Sequence, residues 1–531
     1  MLERWRRSLA RMIAPAPAPK TSTRMYAGAK STLRTGGFGS YANTSADAEL
    51  ESSLTQLRAR SRQLMRDAPY AKRARVVVVN NVVGTGVGLQ AQVKTTRGEL
   101  NARVNDSIEA AWKDWCCAEY CHTGGAMHFS DLERMGLGEV FTAGEFIVRM
   151  HPVSFGGSKV PFALEVIEPE RLADGFNTPE PSSATGNEVR MGVEIDRYHR
   201  AVAYWIRERH PGDLRSRPGV TDRVVRVPAE QILHVRLVDR WPQTRGEPWL
   251  HSVLRKLNDM DQYSQSELEA ARASAAYFAT IKSPEAEQPG VAEGEDGTKQ
   301  LNIEPLTISQ LSPGDELEFH APNRPNTALD PFLRYMLREV AAGTGVSYGA
   351  LSRDRSQANY SSERIDLLDD RDLWRVLQQW WIRAFRERLH KFWMQQAVLS
   401  RVVSAITVEQ YALNPEALTA VRWKARGWSW VDPTKEVDAF KEAVRAGFIT
   451  VSQVIAQTGG GVDLEDYITE RKAELEALEA AGINVDTTVP DAVAVAPAAP
   501  VAAAAQAAPA DDTTPDNPDD AKPARLVSIA R

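Results

Sequence analysis

The sequence predicts an α+β fold, and three observations predict it. Apolar residues recur at helical spacing from about Ser45 to Phe141, alternate with a period of two from Glu145 to Val238, and return to helical spacing from Pro248 onward. No alternating βαβ order accompanies the change. A length of 531 residues is enough for a large core shared among several domains.

Taken in order, residues 15–43 are rich in Ala, Pro, Gly, Ser and Thr and read as disordered. A helix starts near Ser45 or Asp47, with Leu50, Leu54, Leu57 and Leu64 as its apolar stripe. Asp67 and Pro69 restart the chain into Tyr70–Val83, whose valines leave helix and strand open. Gly84, Gly86 and Gly88 break that segment, and Leu89–Val93 reads as a strand. A helix capped by Asn105 presents Ile108, Ala111, Trp112 and Trp115, and another lies around Ser130–Phe141.

Strands are expected around Phe146–Met150, Phe162–Ile167, Val193–Asp196, Ala201–Ile206, Val224–Val227 and Ile232–Val238, with Asp196–Arg200 as a hairpin turn and His210–Asp213 as another turn. A long helix follows from Pro248 to about Lys282. Residues 283–300 form an acidic Pro/Gly loop, and Pro305–Pro322 reads as two short strands around Ser312–Asp315. A shorter helix spans about Ala328–Ala342. The longest runs from Ser361 to Ala397, with Trp374, Leu377, Trp381, Phe385 and Phe392 on one face and Leu373, Val376 and Trp380 widening it. Such a stripe is core or subunit interface.

Residues 433–482 form a small helical unit. Asp432 and Pro433 open it, Gly447 ends its first helix, Thr450 and Gln453 have capping-box spacing, and Asp463 opens the last helix. The Ala/Pro/Asp-rich stretch after about Thr487 reads as disordered.

Composition narrows function by exclusion. A net charge of −6 and a pI near 6.0 rule out a surface that is basic all over. The longest pure aliphatic run, Val76–Val79, is far short of the ~20 residues of a membrane span, so no membrane partner is expected. Met1–Ile13 is basic and amphipathic without signal-peptide anatomy, and reads as a flexible arm ahead of a membrane-surface helix or an assembly arm.

Cys116, Cys117 and Cys121, near His122 and His128, match no zinc spacing and read as small apolar residues, so no metal is expected. Gly84–Gly88 lacks the third glycine of a dinucleotide loop, and Gly28–Thr32 has Ala29 where a nucleotide loop needs glycine. His151, His199, His210, His234 and His251 fall into no catalytic pattern. Asp366, Asp369, Asp370 and Asp372 read as solvated first turns of a helix. Neither an enzyme nor a cofactor is expected.

The most informative stretch is polar and sits between two helices: Gly345-Val-Ser-Tyr-Gly-Ala-Leu-Ser-Arg-Asp-Arg-Ser-Gln-Ala-Asn-Tyr-Ser-Ser-Glu-Arg364. It resembles the signature of the lambda-type bacteriophage portal family, the head–tail connector. Further segments resemble that family in the same order. They are Arg62–Ala71 with Asn81–Gly86, Glu194–Asp196, Ala203–Ile206 leading to His210, Val227–His234, Arg240–Pro248, Pro313–Glu316 and Val431–Glu436.

The resemblance implies a portal-type ring subunit with an α/β wing, helical stem, small β-containing clip, long wing helix and helical crown. Along this sequence that places a basic arm at 1–44, wing at 45–247, stem helix at 248–282, clip at 283–327 and second stem helix at 328–344. A tunnel loop at 345–360, the long wing helix and following wing segment at 361–432, the crown at 433–482 and a tail at 483–531 complete it. It also implies a homododecamer in the virion, at the capsid portal vertex, assembled in the host cytoplasm. Its expected partners are non-sequence-specific double-stranded DNA, the terminase large subunit, head–tail adaptors, and major capsid and scaffold proteins.

Phosphate contacts carry no sequence information, as a channel requires. Arg353, Arg355, Gln357 and Asn359 are the candidate DNA-facing groups, and Trp374, Leu377, Trp381 and Phe385 the candidate interface or core. The opposing reading has Asp354 pairing with these arginines and the loop packing between subunits. A ring scaffold without a DNA role and an unrecognised hydrolase are the alternative functions.

Overall fold

The computed structural model describes residues 44–179, 185–216, 223–276, 279–282, 292–293, 299–300, 316–319, 327–356, 359–428, 433–458 and 464–483. The amino-terminal arm, the tail after 483, most of 283–315, Asp432, Asp463 and Gln357 lie outside these residues. The chain divides into two compact units, Met1–Val431 and Asp432–Arg531.

Helix α1 (Ala46–Asp67) starts where Ser45 Oγ accepts from the Ala48 amide at 3.2 Å. Its stripe is buried at Leu50 and Leu54 and half-buried at Leu57 and Leu64. Ala68 is extended, and Pro69 occupies the first turn of α2 (Pro69–Val82). The valine run is therefore helical, and Val77, Val78, Val79 and Val82 all lie in the core. Gly84 and Gly86, at φ +61° and +111°, turn the chain into β1 (Gly88–Ala91).

Helix α3 (Ala102–Trp115) is capped by Asn101 rather than by Asn105. Asn105 is buried in the helix interior, where its side chain exchanges two hydrogen bonds with the Val93 backbone, at 3.0 and 3.2 Å. A short turn α4 (Ala118–Cys121) leads to α5 (Phe129–Ala143), which ends at Gly144 in the left-handed region. A Cβ at Gly144 would stand 2.3 Å from the Glu247 carbonyl carbon, so only glycine lets these backbones meet.

Two antiparallel sheets follow. Strands β2 (Glu145–His151) and β3 (Ala163–Ile167) belong to the first; β4 (Glu188–Arg190), β5 (Val193–Ile195) and β6 (Ala201–Arg207) to the second. Asp196–Arg200 is the hairpin turn between β5 and β6. His210 begins the short helix α6 (Pro211–Ser216) instead of a simple turn, its Nδ1 accepting from the Gly212 amide at 3.0 Å. Strands β7 (Val224–Pro228) and β8 (Ile232–Arg236) complete orders β3-β2-β8 and β4-β5-β6-β7. Ile147, Ile167, Val193, Tyr204, Ile206 and Ile232 form a second core that joins the sheets.

Buried charges fix how the sheets meet the helices. Glu145 accepts from Arg245 and from the Gly246 amide, and lies 2.9 Å from His234 Nε2. His234 Nδ1 lies 3.2 Å from Arg236 Nη1, so a neutral ring that donates to Glu145 and accepts from Arg236 satisfies both contacts.

Past a 3-10 turn at Trp249–Ser252, α7 (Leu254–Ala276) is shorter than its sequence suggests. The expected helix to Lys282 gives way to strand β9 (Ala279–Lys282), whose Thr280 and Ile281 are β-branched. Strands β10 (Ala292–Glu293) and β11 (Lys299–Gln300) pair with each other. β12 (Glu316–Phe319) pairs antiparallel with β9. The expected strand before Ser312 lies outside the described residues.

After α8 (Leu329–Thr344) and a short α9 (Tyr348–Ser352), the longest helix comprises α10 (Tyr360–Trp381), a π-helical segment Ile382–Arg386 and α11 (Glu387–Leu399). A single straight α-helix was expected; one extra residue is accommodated where Trp381, Phe385 and Arg386 enter the core. Leu373 and Val376 do not widen the buried stripe: both are exposed, Val376 at 64%. Turns α12 (Val408–Leu413) and α13 (Pro415–Leu418) precede β13 (Val421–Lys424), which pairs with β1.

The large core gathers Trp112, Trp115, Phe129, Phe162, Trp381 and Trp393. Arg386 is buried within it, 3.0 Å from Glu133, with its guanidinium 5.0 Å from the Trp423 ring centroid. Glu133 also accepts from Trp381 Nε1 at 3.0 Å and from the Val87 amide at 3.2 Å.

The second unit holds α14 (Pro433–Arg445), ending before Gly447 at φ +74°, then α15 (Val451–Thr458) and α16 (Leu464–Ala480). Thr450 and Gln453 exchange the two hydrogen bonds of a capping box.

Candidate nucleic-acid interface

The polar stretch after α8 is held at both ends. Gly345, at φ +67°, ends α8, and Trp249 Nε1 donates to the Thr344 carbonyl at 3.1 Å. Ser347 then donates from its amide to Asp370 Oδ1 at 3.0 Å and from its hydroxyl to Oδ2 at 2.6 Å. Asp370 is therefore not one of the solvated acids of the helix start: it is 6% exposed, and burial raises its pKa against those two hydrogen bonds. Helix α9 places Leu351 in the core, and Arg73 Nε from α2 donates to the Ala350 carbonyl at 3.0 Å.

Arg353 closes α9 in the left-handed region at φ +59°. It is exposed, and its charge, after burial, helps lower the pKa of Arg73. Asp354 turns the other way. It accepts from the Ser356 amide and the Tyr348 hydroxyl, each at 3.0 Å, and lies 3.5 Å from Arg334 Nε. Hydrogen bonds from Ser356 and then Tyr348 hold its carboxyl down at about 2. The Arg338 guanidinium lies 5.6 Å from the Tyr348 ring centroid.

The loop acid is thus taken up by Arg334 and Tyr348, not by the two loop arginines. Arg355 is 78% exposed, with Glu363 3.4 Å away. A surface pair of that kind is worth less than ~1 kcal/mol and yields readily to a phosphate. Asn359 caps α10: its Oδ1 accepts from the Ser362 amide at 2.8 Å, and Ser362 Oγ donates back to the Asn359 carbonyl at 3.1 Å. Its side-chain oxygen is therefore occupied by the cap. Gln357 lies outside the described residues.

Trp374, Leu377, Trp381 and Phe385 are buried inside the subunit, at 3%, 6%, 0% and 0% exposure. Trp381 and Phe385 stand 4.9 Å apart between ring centroids. Of the anchors, Arg73 and Arg334 carry no signal in the sequence, Tyr348 falls within the signature stretch without a role of its own, and Asp370 reads there as a solvated acid. One signal was available: Asp370 shares a helical face with Trp374 and Leu377, four and seven residues on. Among the described residues no group of three or more His, Cys, Asp or Glu is arranged to hold a metal ion. No described helix is long and apolar enough to cross a membrane.

The sequence matches the family model described as phage portal protein, lambda family, over residues 34–378 of its 531. The chain belongs to the lambda family of phage portal proteins. Its role is that of a phage portal protein, a structural component and not an enzyme.

Curated relatives include the probable portal protein of Halomonas phage phiHAP-1, 29% identical over 485 residues, covering 88% of this chain and 89% of the relative. The portal protein of Escherichia phage N15 and portal protein B of Escherichia phage lambda are each 25% identical over 507 residues, covering 88% of this chain and 93% of theirs. Among solved structures, the neck of a native GTA particle computed with C12 symmetry aligns at a TM-score of 0.38 and 13% identity. That alignment covers 75% of this portal protein and 93% of the neck chain. The virion of a native gene transfer agent particle aligns at the same TM-score, with 12% identity and the same coverage.

Proposed function

We propose that this portal protein assembles as a dodecamer whose axial channel passes double-stranded DNA, and that the 345–360 loop faces the strand. The observation that carries the proposal is the division of labour within the loop. Asp354 is occupied by Ser356, Tyr348 and Arg334, while Arg353 and Arg355 point their charge to solvent from a segment fixed by Asp370 and Arg73. Fixed loop ends and exposed cations give many weak, sequence-blind phosphate contacts without a tight site.

In the same reading, 45–247 is the wing, α7 and α8 the stem, β9 to β12 the clip, α10 and α11 the long wing helix, and the second unit the crown. The clip would meet the terminase large subunit and the head–tail adaptors, and the wing the capsid and scaffold proteins. The finished ring resides in the virion.

The test is Arg353→Ala with Arg355→Ala in the complete phage. Rings of normal mass and reduced DNA packaging or retention are expected. Normal packaging by intact double-variant rings would overturn the assignment.

A further inference from the structure

One face of α10 exposes three apolar residues over three turns, with the carboxylates of Asp369 and Asp372 between them. Ile365 is 67% exposed, Leu368 42% and Val376 64%, whereas Trp374 and Leu377 on the opposite face are buried. A helix in water normally turns such a stripe inward. The stripe borders an open groove of about 700 Å³ between α8 and α10, lined by Asp366, Asp369 and Asp372. Asp372 is paired with Arg375 at 2.9 Å. Asp366 and Asp369, one helical turn apart and both exposed, have no cationic partner among the described residues. Each raises the pKa of the neighbouring Asp370, after the larger effect of burial. The one cation lining the groove, Arg338, already lies over the Tyr348 ring.

An occupant that matches this face carries apolar and cationic side chains together. The chain contains such a segment. Trp5, Leu9, Met12 and Ile13 follow i, i+4, i+7, i+8 spacing, and Arg4 precedes them while Arg6, Arg7 and Arg11 fall between them, against a single acid, Glu3. The described structure begins at Thr44, whose carbonyl is anchored by Arg240 Nη2 at 2.5 Å. The residues before it can span up to ~140 Å when extended, against a radius of gyration of roughly 22 Å for a compact unit of this size. Reach is therefore no barrier.

We infer that the exposed face of α10 is a docking site for the chain's own amino-terminal arm, residues 1–13. Trp5 and Leu9 cover Ile365, Leu368 and Val376, and the arm arginines meet Asp366 and Asp369. The inference does not depend on which residues face DNA.

Site-directed cross-linking in the full-length chain tests it. Cys117, the exposed native thiol, is changed by Cys117→Ser, and Trp5→Cys is combined either with Leu368→Cys or with Leu413→Cys, the latter a control more exposed than the test site. Oxidative cross-linking of 5 to 368 is expected at least tenfold faster than of 5 to 413, and at least fivefold slower in 1 M NaCl. Arg4→Glu with Arg7→Glu should slow it, and Asp366→Lys with Asp369→Lys added to those arm changes should restore it. Equal rates at 368 and 413, or rates indifferent to the arm charges, would overturn the inference. The arm variants change none of the described residues and keep the test valid if the α10 variants fail to fold.

Discussion

Ser347 and Asp370 are joined by two hydrogen bonds, one from the serine amide and one from its hydroxyl, to the two oxygens of a carboxylate that is almost fully buried. The start of the loop is thereby clamped to the third turn of the helix that follows it, across twenty-odd residues of sequence. Both partners gain: the amide finds an acceptor, and the carboxylate is solvated by protein instead of water.

Breaking this clamp should loosen the loop before it unfolds the protein. Asp370→Ala is expected to cost ~1–3 kcal/mol, because two donors lose a charged acceptor. Trypsin should then cut after Arg353 and Arg355 several-fold faster than in the parent, with mass spectrometry of the early fragments as the readout. Unchanged early cleavage would mean the clamp does not hold the loop.

The core ion pair makes a sharper prediction. Glu133 and Arg386 are 1% and 2% exposed, and Glu133→Ala strands a guanidinium among Trp112, Phe129 and Trp423. A loss of about 3–5 kcal/mol is expected, read as a fall in the urea midpoint. Glu133→Gln, which keeps an acceptor for Trp381 Nε1, should lose less.

Stability should fall in mild acid. Burial, with Arg236 adding to it, pushes His234 down to about 4; burial, with Arg386 adding to it, pushes His390 down to about 3. Both are neutral in the folded chain, while the unfolded chain protonates near 6.5. Between about pH 6.5 and 4 the unfolded state therefore binds more protons, and stability declines as pH falls through that window. For each group the limit is on the order of a few kcal/mol. His390→Phe should flatten part of the slope in pH-dependent thermal melts; an unchanged slope would remove His390 from the account.

Thiol labelling checks the packing around α3. Cys117 is exposed, whereas burial raises the Cys116 thiol well above its ordinary value and pushes Cys121 up to about 12. The native protein should take up one maleimide per chain rapidly and the other two only on unfolding.

Much of the fold was legible because it depends on local chemistry. The helix start near Ser45, the restart at Pro69, the Thr450 and Gln453 box and the period-two strands each declare themselves within a few residues. Several of the errors come from contacts made outside the local pattern. Asn105 resembled a cap until the Val93 backbone claimed it, and Asp370 resembled a surface acid until Ser347 did. Glu133 and Arg386 are over 250 residues apart, and neither position carries a pattern that announces a buried charge. The loop was visible as a polar interval between helices, but its anchor Arg73 lies on a valine-rich segment whose sequence leaves helix and strand open, and Arg334 lies on a helix with no pattern that marks it out.

The π-helical segment Ile382–Arg386 has a consequence for how this chain can vary in length. Each residue of an α-helix advances the phase by about 100°. The wide turn fits five residues into about the advance of four α-helical ones, so Trp374 and Leu377 before it and Leu389, Trp393 and Met394 after it all face the core. Deleting the exposed Arg383 would close the segment to a regular α-turn and keep both flanks in phase, whereas deleting one residue from the α-helical turns beside it would rotate one flank against the other by about 100°. Between Trp374 and Trp393 the wide turn is thus the place where the chain can lose a single residue.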